Sequence, residues 1–203
     1  SEVEYVVFDL ETTGLSTRYD YIIEFGAVVM RKGSVIQEKD FFIKPEIELS
    51  TNIKNLTHIS DENLRNARPF KDCAQEILEF VKNRVLVAHN ASFDYGFLNS
   101  EFERIGMSRL ENPVIDTLDL SRSLLKNRRA YRLGNMCRAY NIPYDEDVAH
   151  RANYDADVLS QVFNFMLKDL AKAGVKTLND LKNFQDKDAF VKIFLLSDFF
   201  LAF

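Results

Sequence analysis

V-E-Y-V-V-F-D-L-E-T-T-G-L, residues 3–15, sets the fold and carries the first chemistry of the chain. From Glu4 to Glu11 the side chains alternate with the period of a β-strand, placing Val6, Phe8 and Leu10 on one face and Val7, Asp9 and Glu11 on the other. Two acids therefore share one face at one strand end. Thr12, Thr13 and Gly14 end the strand and leave backbone groups accessible as a rim for a ligand. By itself a D-x-E pair decides little, because acids at a strand end are commonly only solvated.

Outward from this strand, Tyr21 to Met30 and Val35 to Lys44 are β-rich runs separated by Arg31-Lys32-Gly33-Ser34, a turn signal that predicts an antiparallel hairpin. Past Pro45 the period becomes helical. Phe70, Cys73, Ala74, Ile77, Leu78 and Val81 recur at helical spacing behind Pro69, which suits a first helical position. Arg84 to Ala88 reads as a short buried strand, followed by a helix that carries Phe93, Phe97, Leu98, Phe102 and Ile105 and stops at Gly106. Val114 to Asp116 is a fifth strand; helices near Thr117–Lys126 and Tyr131–Tyr140 follow, and a long helix over Asn153–Lys172 ends at Gly174. Strands first and then alternating helix and strand predict an α/β domain with a mixed five-stranded sheet, its first three strands antiparallel and the later ones parallel, flanked by helices. Residues 1–174 form this domain. Residues 175–203 form an apolar extension ending in Phe199, Phe200, Leu201 and Phe203, which needs a cover, either the domain itself or a neighbouring part of a longer chain.

With 203 residues, 46% hydrophobic and 28% charged, the chain is long enough to bury one sizeable core and falls among globular proteins. Cys73 and Cys137 are too few for a disulfide framework or a thiolate zinc site, which fits a reducing, cytoplasmic setting. There is no charged leader and no apolar run long enough to cross a bilayer, so no membrane role is expected. A start at Ser1 suits a piece of a longer polypeptide. The net charge of -5 argues against nucleic-acid binding by a basic surface alone. Charge is uneven, however: Arg122, Lys126, Arg128, Arg129, Arg132 and Arg138 follow one another with no acid between Arg122 and Arg138, either as a hold for a phosphate backbone or as a solvated helix face.

Two further segments bring candidate chemistry. The buried strand ending at Ala88 empties into His89-Asn90-Ala91-Ser92-Phe93-Asp94, and sites in open α/β sheets gather at the carboxyl ends of strands. Asp94 is equally readable as a first-turn acid favoured by the helix dipole. In His150-Arg151-Ala152-Asn153-Tyr154-Asp155 the five-residue spacing keeps His150 from stacking above Asp155 on one helical face. His150 thus precedes the helix while Asp155 points from its first turns, so a base can approach a fixed carboxylate. A lone His–Asp pair is as readily a surface histidine beside an acid.

Taken together, F-D-L-E-T-T-G at 8–14, H-N-A-S-F-D at 89–94 and H-R-A-N-Y-D at 150–155 resemble the three exonuclease motifs of the DEDDh (DnaQ-like) family, in order and at suitable separations. The flanking text, including I-I-E-F-G-A-V and V-A-H-N-A-S-F-D, is most similar to the exonuclease region of PolC-type bacterial DNA polymerase III. This resemblance covers residues 3–172 and implies a ribonuclease H-like fold. It implies Asp9, Glu11, Asp94 and Asp155 as ligands of two divalent cations, Mg²⁺ or Mn²⁺, and His150 as general base. Thr12, Thr13 and Gly14 would meet the terminal nucleotide and its 3′-hydroxyl, Leu15 would wedge against the end base, Asn90 and Phe93 would line the pocket, and His58 would stack on a base. His89 would be structural. The implied activity is 3′-to-5′ hydrolysis of single-stranded or frayed DNA ends to nucleoside monophosphates, as proofreading for a replicative DNA polymerase in the same chain or as its partner subunit. An exoribonuclease of the same family and a catalytically silent nucleic-acid-binding domain are the alternatives. The chemistry agrees with the motif set: four carboxylates about 4 Å apart repel by on the order of 4 kcal/mol per pair at a surface-like dielectric, and cations offset this. All-oxygen ligation favours Mg²⁺ or Mn²⁺ over zinc.

Overall fold

The hairpin forms as β2 (Ile22–Arg31) and β3 (Ser34–Lys44). Lys32 (φ 50°) and Gly33 (φ 72°) both take the left-handed conformation between them, which matches the twist of the paired strands. The computed structural model describes residues 2–184. In it, β1 (Tyr5–Thr12) lies centrally, antiparallel to β2 on one side and parallel to β5 (Val85–Ala88) on the other. β6 (Val114–Asp116) extends the sheet parallel to β5.

The sheet has six strands rather than five, in the order β4-β3-β2-β1-β5-β6. The added strand is β4 (Arg68–Pro69), which pairs parallel with Ile43 and Lys44 at the edge of β3. Pro69 therefore stands one residue before helix α3 (Phe70–Val81), as its N-cap, and not at its first helical position. An edge strand tolerates the missing N–H. Between β3 and β4 lie two short helices that helical periodicity did not predict, here numbered in chain order before α3: α1 (Thr51–Thr57) and α2 (Asp61–Arg65). Ser50 and Ser60 cap them by accepting from the backbone N–H groups of Ile53 and Asn63.

Alternation along β1 sorts the core into two layers. Val6, Phe8 and Leu10 pack with Phe25, Val29 and Leu86 against α3 and against α4 (Ala91–Arg104). Tyr5 and Val7 pack on the other face against α7 (Ala152–Lys172), whose Leu159, Val162, Phe163, Met166 and Leu170 form its buried stripe. Helices α5 (Thr117–Leu124) and α6 (Leu133–Tyr140) complete that layer. Beyond Gly174, Val175 and residues Leu178 and Leu181 of α8 (Leu178–Phe184) are buried in the same core. The apolar run at residues 190–203 lies outside the described residues. Both cysteines are buried and free, and among the described residues no helix is long and apolar enough to cross a membrane.

Candidate active site

The end of β1 is prepared by a register shift between Glu11 and Thr12, where the pairing with β2 passes from Glu11↔Glu24 to Thr12↔Ile22. Such a bulge bends a strand and re-aims its side chains. Here Asp9 and Glu11 face a common cleft of roughly 1500 Å³ at the carboxyl end of the sheet, and Asp94 and Asp155 line the same cleft.

Asp94 stands in the first turn of α4, and a non-catalytic acid fixes that turn. Asn90 takes a left-handed conformation (φ 70°), and its N–H and that of Ala91 donate to the two carboxylate oxygens of Asp116 at 3.0 Å each. Asp116 also caps α5 by accepting from Leu118 N–H at 2.8 Å. The β5–α4 corner and the β6–α5 corner are thereby tied to one side chain.

Asp155 reaches the cleft because the start of α7 presses onto β2. A Cβ added at Gly26 would lie 2.2 Å from the Ala152 carbonyl carbon, so only glycine admits the helix. Two residues earlier on β2, Glu24, fully buried, accepts from Ala152 N–H at 2.9 Å and from the Arg151 guanidinium at 2.8–3.2 Å. His150 just ahead holds a left-handed backbone (φ 63°), and its N–H donates to Asp155 Oδ2 at 2.9 Å. Tyr144 Oη donates to Asp155 Oδ1 at 3.5 Å. As a result one ligand atom each from Glu11, His150 and Asp155 lies within 4.8 Å of the others.

Burial acts on all four acids, and repulsion from within the set adds to it at Asp9 and Glu11. Asp9 is held well above the ordinary carboxylate range, first by burial and then by Asp94, Glu11 and Asp155. Glu11 is pushed up to about 9 by burial and by Asp155, Glu24 and Asp94, against a lowering from Arg151. Burial raises Asp94 to about 8 although backbone N–H groups at Asp94 and Leu10 counter it. Asp155 rises for the same first reason, opposed by the His150 N–H. Four acids that resist ionisation together, all donating oxygen, suit hard divalent cations.

Of the softer predicted positions, Thr12, Gly14, Leu15, Asn90 and Phe93 line the cleft. Leu15 is 86% exposed at its rim, and Phe93 leans on Phe97 at 4.8 Å between ring centroids. Thr13 and His58 are not among the lining residues. The Thr13 hydroxyl is taken by Asp20 Oδ1 (3.0 Å) and the Tyr21 N–H (3.0 Å), tying down the loop after β1. His58 is the exposed left-handed C-cap of α1, whose Ile53, Leu56 and Thr57 face the cleft instead. Sequence reasoning assigned no positioning work to Glu24, Gly26, Asp116, Tyr144 or Arg151. For Glu24 the signal was an acid in the middle of an otherwise apolar strand, which can be buried only with a partner.

A carboxylate pocket at the strand ends of a mixed sheet, with a histidine at its edge, defines a class of protein fitted to hold divalent cations. The comparisons give that class its family. A model of the RNase_T exonuclease family matches residues 6–163, and the chain belongs to that family. It is 43% identical over 182 residues to the PolC-type DNA polymerase III of Streptococcus sanguinis (strain SK36), covering 89% of this chain and 12% of that protein. The Ureaplasma parvum PolC-type DNA polymerase III is 43% identical over 180 residues, 87% of this chain and 12% of that one. The chain thus spans about one eighth of the relatives it matches. Among solved structures, the nuclease domain of 3′hExo, a DEDDh family member bound to rAMP, superposes with a TM-score of 0.73 at 19% identity, over 83% of this chain and 93% of that one. E. coli Exonuclease I in complex with a dT13 oligonucleotide gives 0.75 at 17% identity, over 90% of this chain and 46% of that one. These share the ribonuclease H-like fold.

Proposed function

We propose that this chain is a 3′-to-5′ exonuclease that shortens DNA one nucleotide at a time, as the proofreading part of a PolC-type replicative polymerase. The observation that carries this reading is the convergence of Asp9, Glu11, Asp94 and Asp155, from three distant segments, on one cleft beside His150. The four carboxylates would hold two divalent cations, Mg²⁺ or Mn²⁺, which when bound neutralise the scissile phosphate and stabilise the attacking and leaving oxygens. His150 takes a proton from the attacking water; an imidazole suits that work near neutral pH. Thr12, Gly14, Asn90 and Phe93 hold the terminal nucleotide, and Leu15 wedges against its base. Contacts of this stacking kind tolerate any sequence and favour single-stranded or frayed ends over paired ones. Identity to PolC-type polymerases of much greater length supports a place within, or beside, a replicative polymerase, working in the cytoplasm.

The test compares DNA and RNA oligonucleotides, with paired and mispaired 3′ ends, digested by the wild type and by Asp9→Ala. Mononucleotides released from DNA in Mg²⁺ or Mn²⁺, faster from mispaired ends and abolished by D9A, are expected. Preference for RNA would replace this reading with an exoribonuclease. Binding without cleavage in either metal would replace it with a silent binding domain.

A further inference from the structure

We infer that the arch between α5 and α6, residues 125–132, is a phosphate-binding wall that grips the backbone of a single-stranded polynucleotide upstream of its 3′ end. This inference rests on the proposed function for the direction of the strand. The observation is that Arg129 and Arg132 line the same cleft as the four carboxylates Asp9, Glu11, Asp94 and Asp155. The flanking Arg122 and Arg138 line the cleft as well but are ion-paired, Arg122 with Asp119 at 2.9 Å and Arg138 with Glu146 at 3.3 Å. Among the described residues Arg128, Arg129 and Arg132 join no ion pair, although acids outnumber basic residues in the chain. Exposed guanidinium groups left unpaired beside an acidic pocket are set for a polyanion, which they hold through forked, charge-assisted hydrogen bonds.

The arch is built rather than loose. Tyr131 Oη donates to the Leu125 carbonyl at 3.0 Å and accepts from Arg128 N–H at 3.3 Å, closing the loop across its own base. The Tyr131 carbonyl in turn lies 2.7 Å from His89 Nε2, which must donate because a carbonyl only accepts. His89 Nδ1, 2.9 Å from Thr117 Oγ1, then accepts. His89 begins the same segment that delivers Asp94, so one imidazole fixes the spacing between the arginines and the carboxylates. The cleft also has an apolar part of its lining, Leu15, Ile53 and Leu56, with Leu56 49% exposed. A single strand satisfies both, with phosphates on the arginines and bases on the apolar part.

Binding is measured by fluorescence anisotropy in Mg²⁺ with 5′-labelled oligonucleotides whose linkages are phosphorothioates, to slow hydrolysis. The double variant R129A/R132A should bind a long single strand at least about tenfold more weakly than wild type. Its plot of log affinity against log salt should be shallower by about 1.4, at about 0.7 per phosphate contact on a single strand. A nucleoside monophosphate, which has no upstream backbone and is measured by competition, should bind both proteins within about twofold of one another. Lys71 and Lys82, exposed and outside the cleft, provide the charge-matched control K71A/K82A, which should behave as wild type. R129Q/R132Q serves if the alanine pair unfolds. Equal affinity and equal salt slope for variant and wild type, or an equal loss in the lysine control, overturns the arch. Arch-dependent binding by a wild type that releases no mononucleotides overturns the proposed function and leaves the arch standing.

Discussion

Without divalent cations the four carboxylates must bear their own repulsion, and the protein should lose stability as pH rises. Asp94 keeps its proton to about pH 8 when folded, against an ordinary value of 3.8. Glu11 keeps its proton to about 9, against 4.5. Between those limits the folded state binds more protons than the unfolded one, so the sign is fixed: stability is full below the ordinary values and falls as pH climbs toward the raised ones. One retained proton costs about 1.4 kcal/mol per pH unit. From pH 5 to pH 7, a cluster retaining a single proton therefore loses about 3 kcal/mol; a domain of this size shifts its Tm by roughly 2–4 °C per kcal/mol, giving a fall of about 6–12 °C. Thermal unfolding in EDTA across that range measures it. Saturating Mg²⁺ should remove most of the slope and raise Tm, since a ligand at a hundred times its Kd adds about 2.7 kcal/mol. Asp94→Asn removes one member of the cluster while keeping an acceptor for the backbone, so it should flatten the slope in EDTA and raise Tm at pH 7. A Tm in EDTA that is flat or rises from pH 5 to pH 7, with D94N less stable than wild type at pH 7, would refute the reasoning.

Three other outcomes bear on the same geometry. His150→Ala should slow release of mononucleotides by roughly two to four orders of magnitude while the Mg²⁺-induced rise in Tm persists; near-normal turnover removes His150 from the chemistry. Glu24→Gln leaves an acceptor for Ala152 N–H but strands the Arg151 charge, and because that guanidinium is 29% exposed the cost in chemical denaturation should be about 2–3 kcal/mol, below the range for a fully buried pair. An unchanged denaturation midpoint would show that Arg151 finds its stabilisation in water. Gly26→Ala puts a methyl carbon 2.2 Å from the Ala152 carbonyl carbon, so α7 must move off the sheet. We expect a destabilisation of about 1–3 kcal/mol and, per folded molecule, a larger loss of turnover than of stability, read from active-site titration.

The parts of the fold legible in the sequence are those whose periodicity runs long enough to be unambiguous. α7 keeps one apolar stripe through twenty-one residues and so announces both its type and its buried face, while β1 reads as a strand buried on both faces from its apolar run Tyr5–Phe8 ahead of the D-x-E pair. At seven and five residues, α1 and α2 make barely a turn or two, and only Ser50 and Ser60 marked their starts. β4 has no pattern to read, since two residues with a proline earn strand geometry only from the neighbouring β3. Asp9, Glu11, Asp94, His150 and Asp155 were legible as a set only through the resemblance of their three segments to a family's motifs, each segment alone leaving its acid or histidine open to a plainer reading, and the structure brings them to one cleft. Thr13 looked like its neighbour Thr12, but it lies past the end of β1, and its hydroxyl is taken up by Asp20 and the Tyr21 N–H in the loop that follows.

What the sequence hid was the machinery that holds the repelling acids in place. Asp20 accepts from Ser16 N–H and the Thr13 hydroxyl and closes the loop after β1. Asp116 accepts from three backbone N–H groups and fixes the turn before Asp94. Glu24 accepts from Ala152 N–H and Arg151 and fixes the turn before Asp155. Each segment that delivers cleft acids is thus clamped by a further acid whose charge is spent on donors. Such clamps look unrelated in sequence because their partners are backbone groups, which leave no residue signature. Their physical consequence is shared: the acids cannot escape burial and one another by spreading the loops apart, so their carboxyl groups stay above the ordinary range, first through burial and at Asp9 and Glu11 also through repulsion. A site held at its working spacing before its ligands bind loses little to reorganisation afterwards.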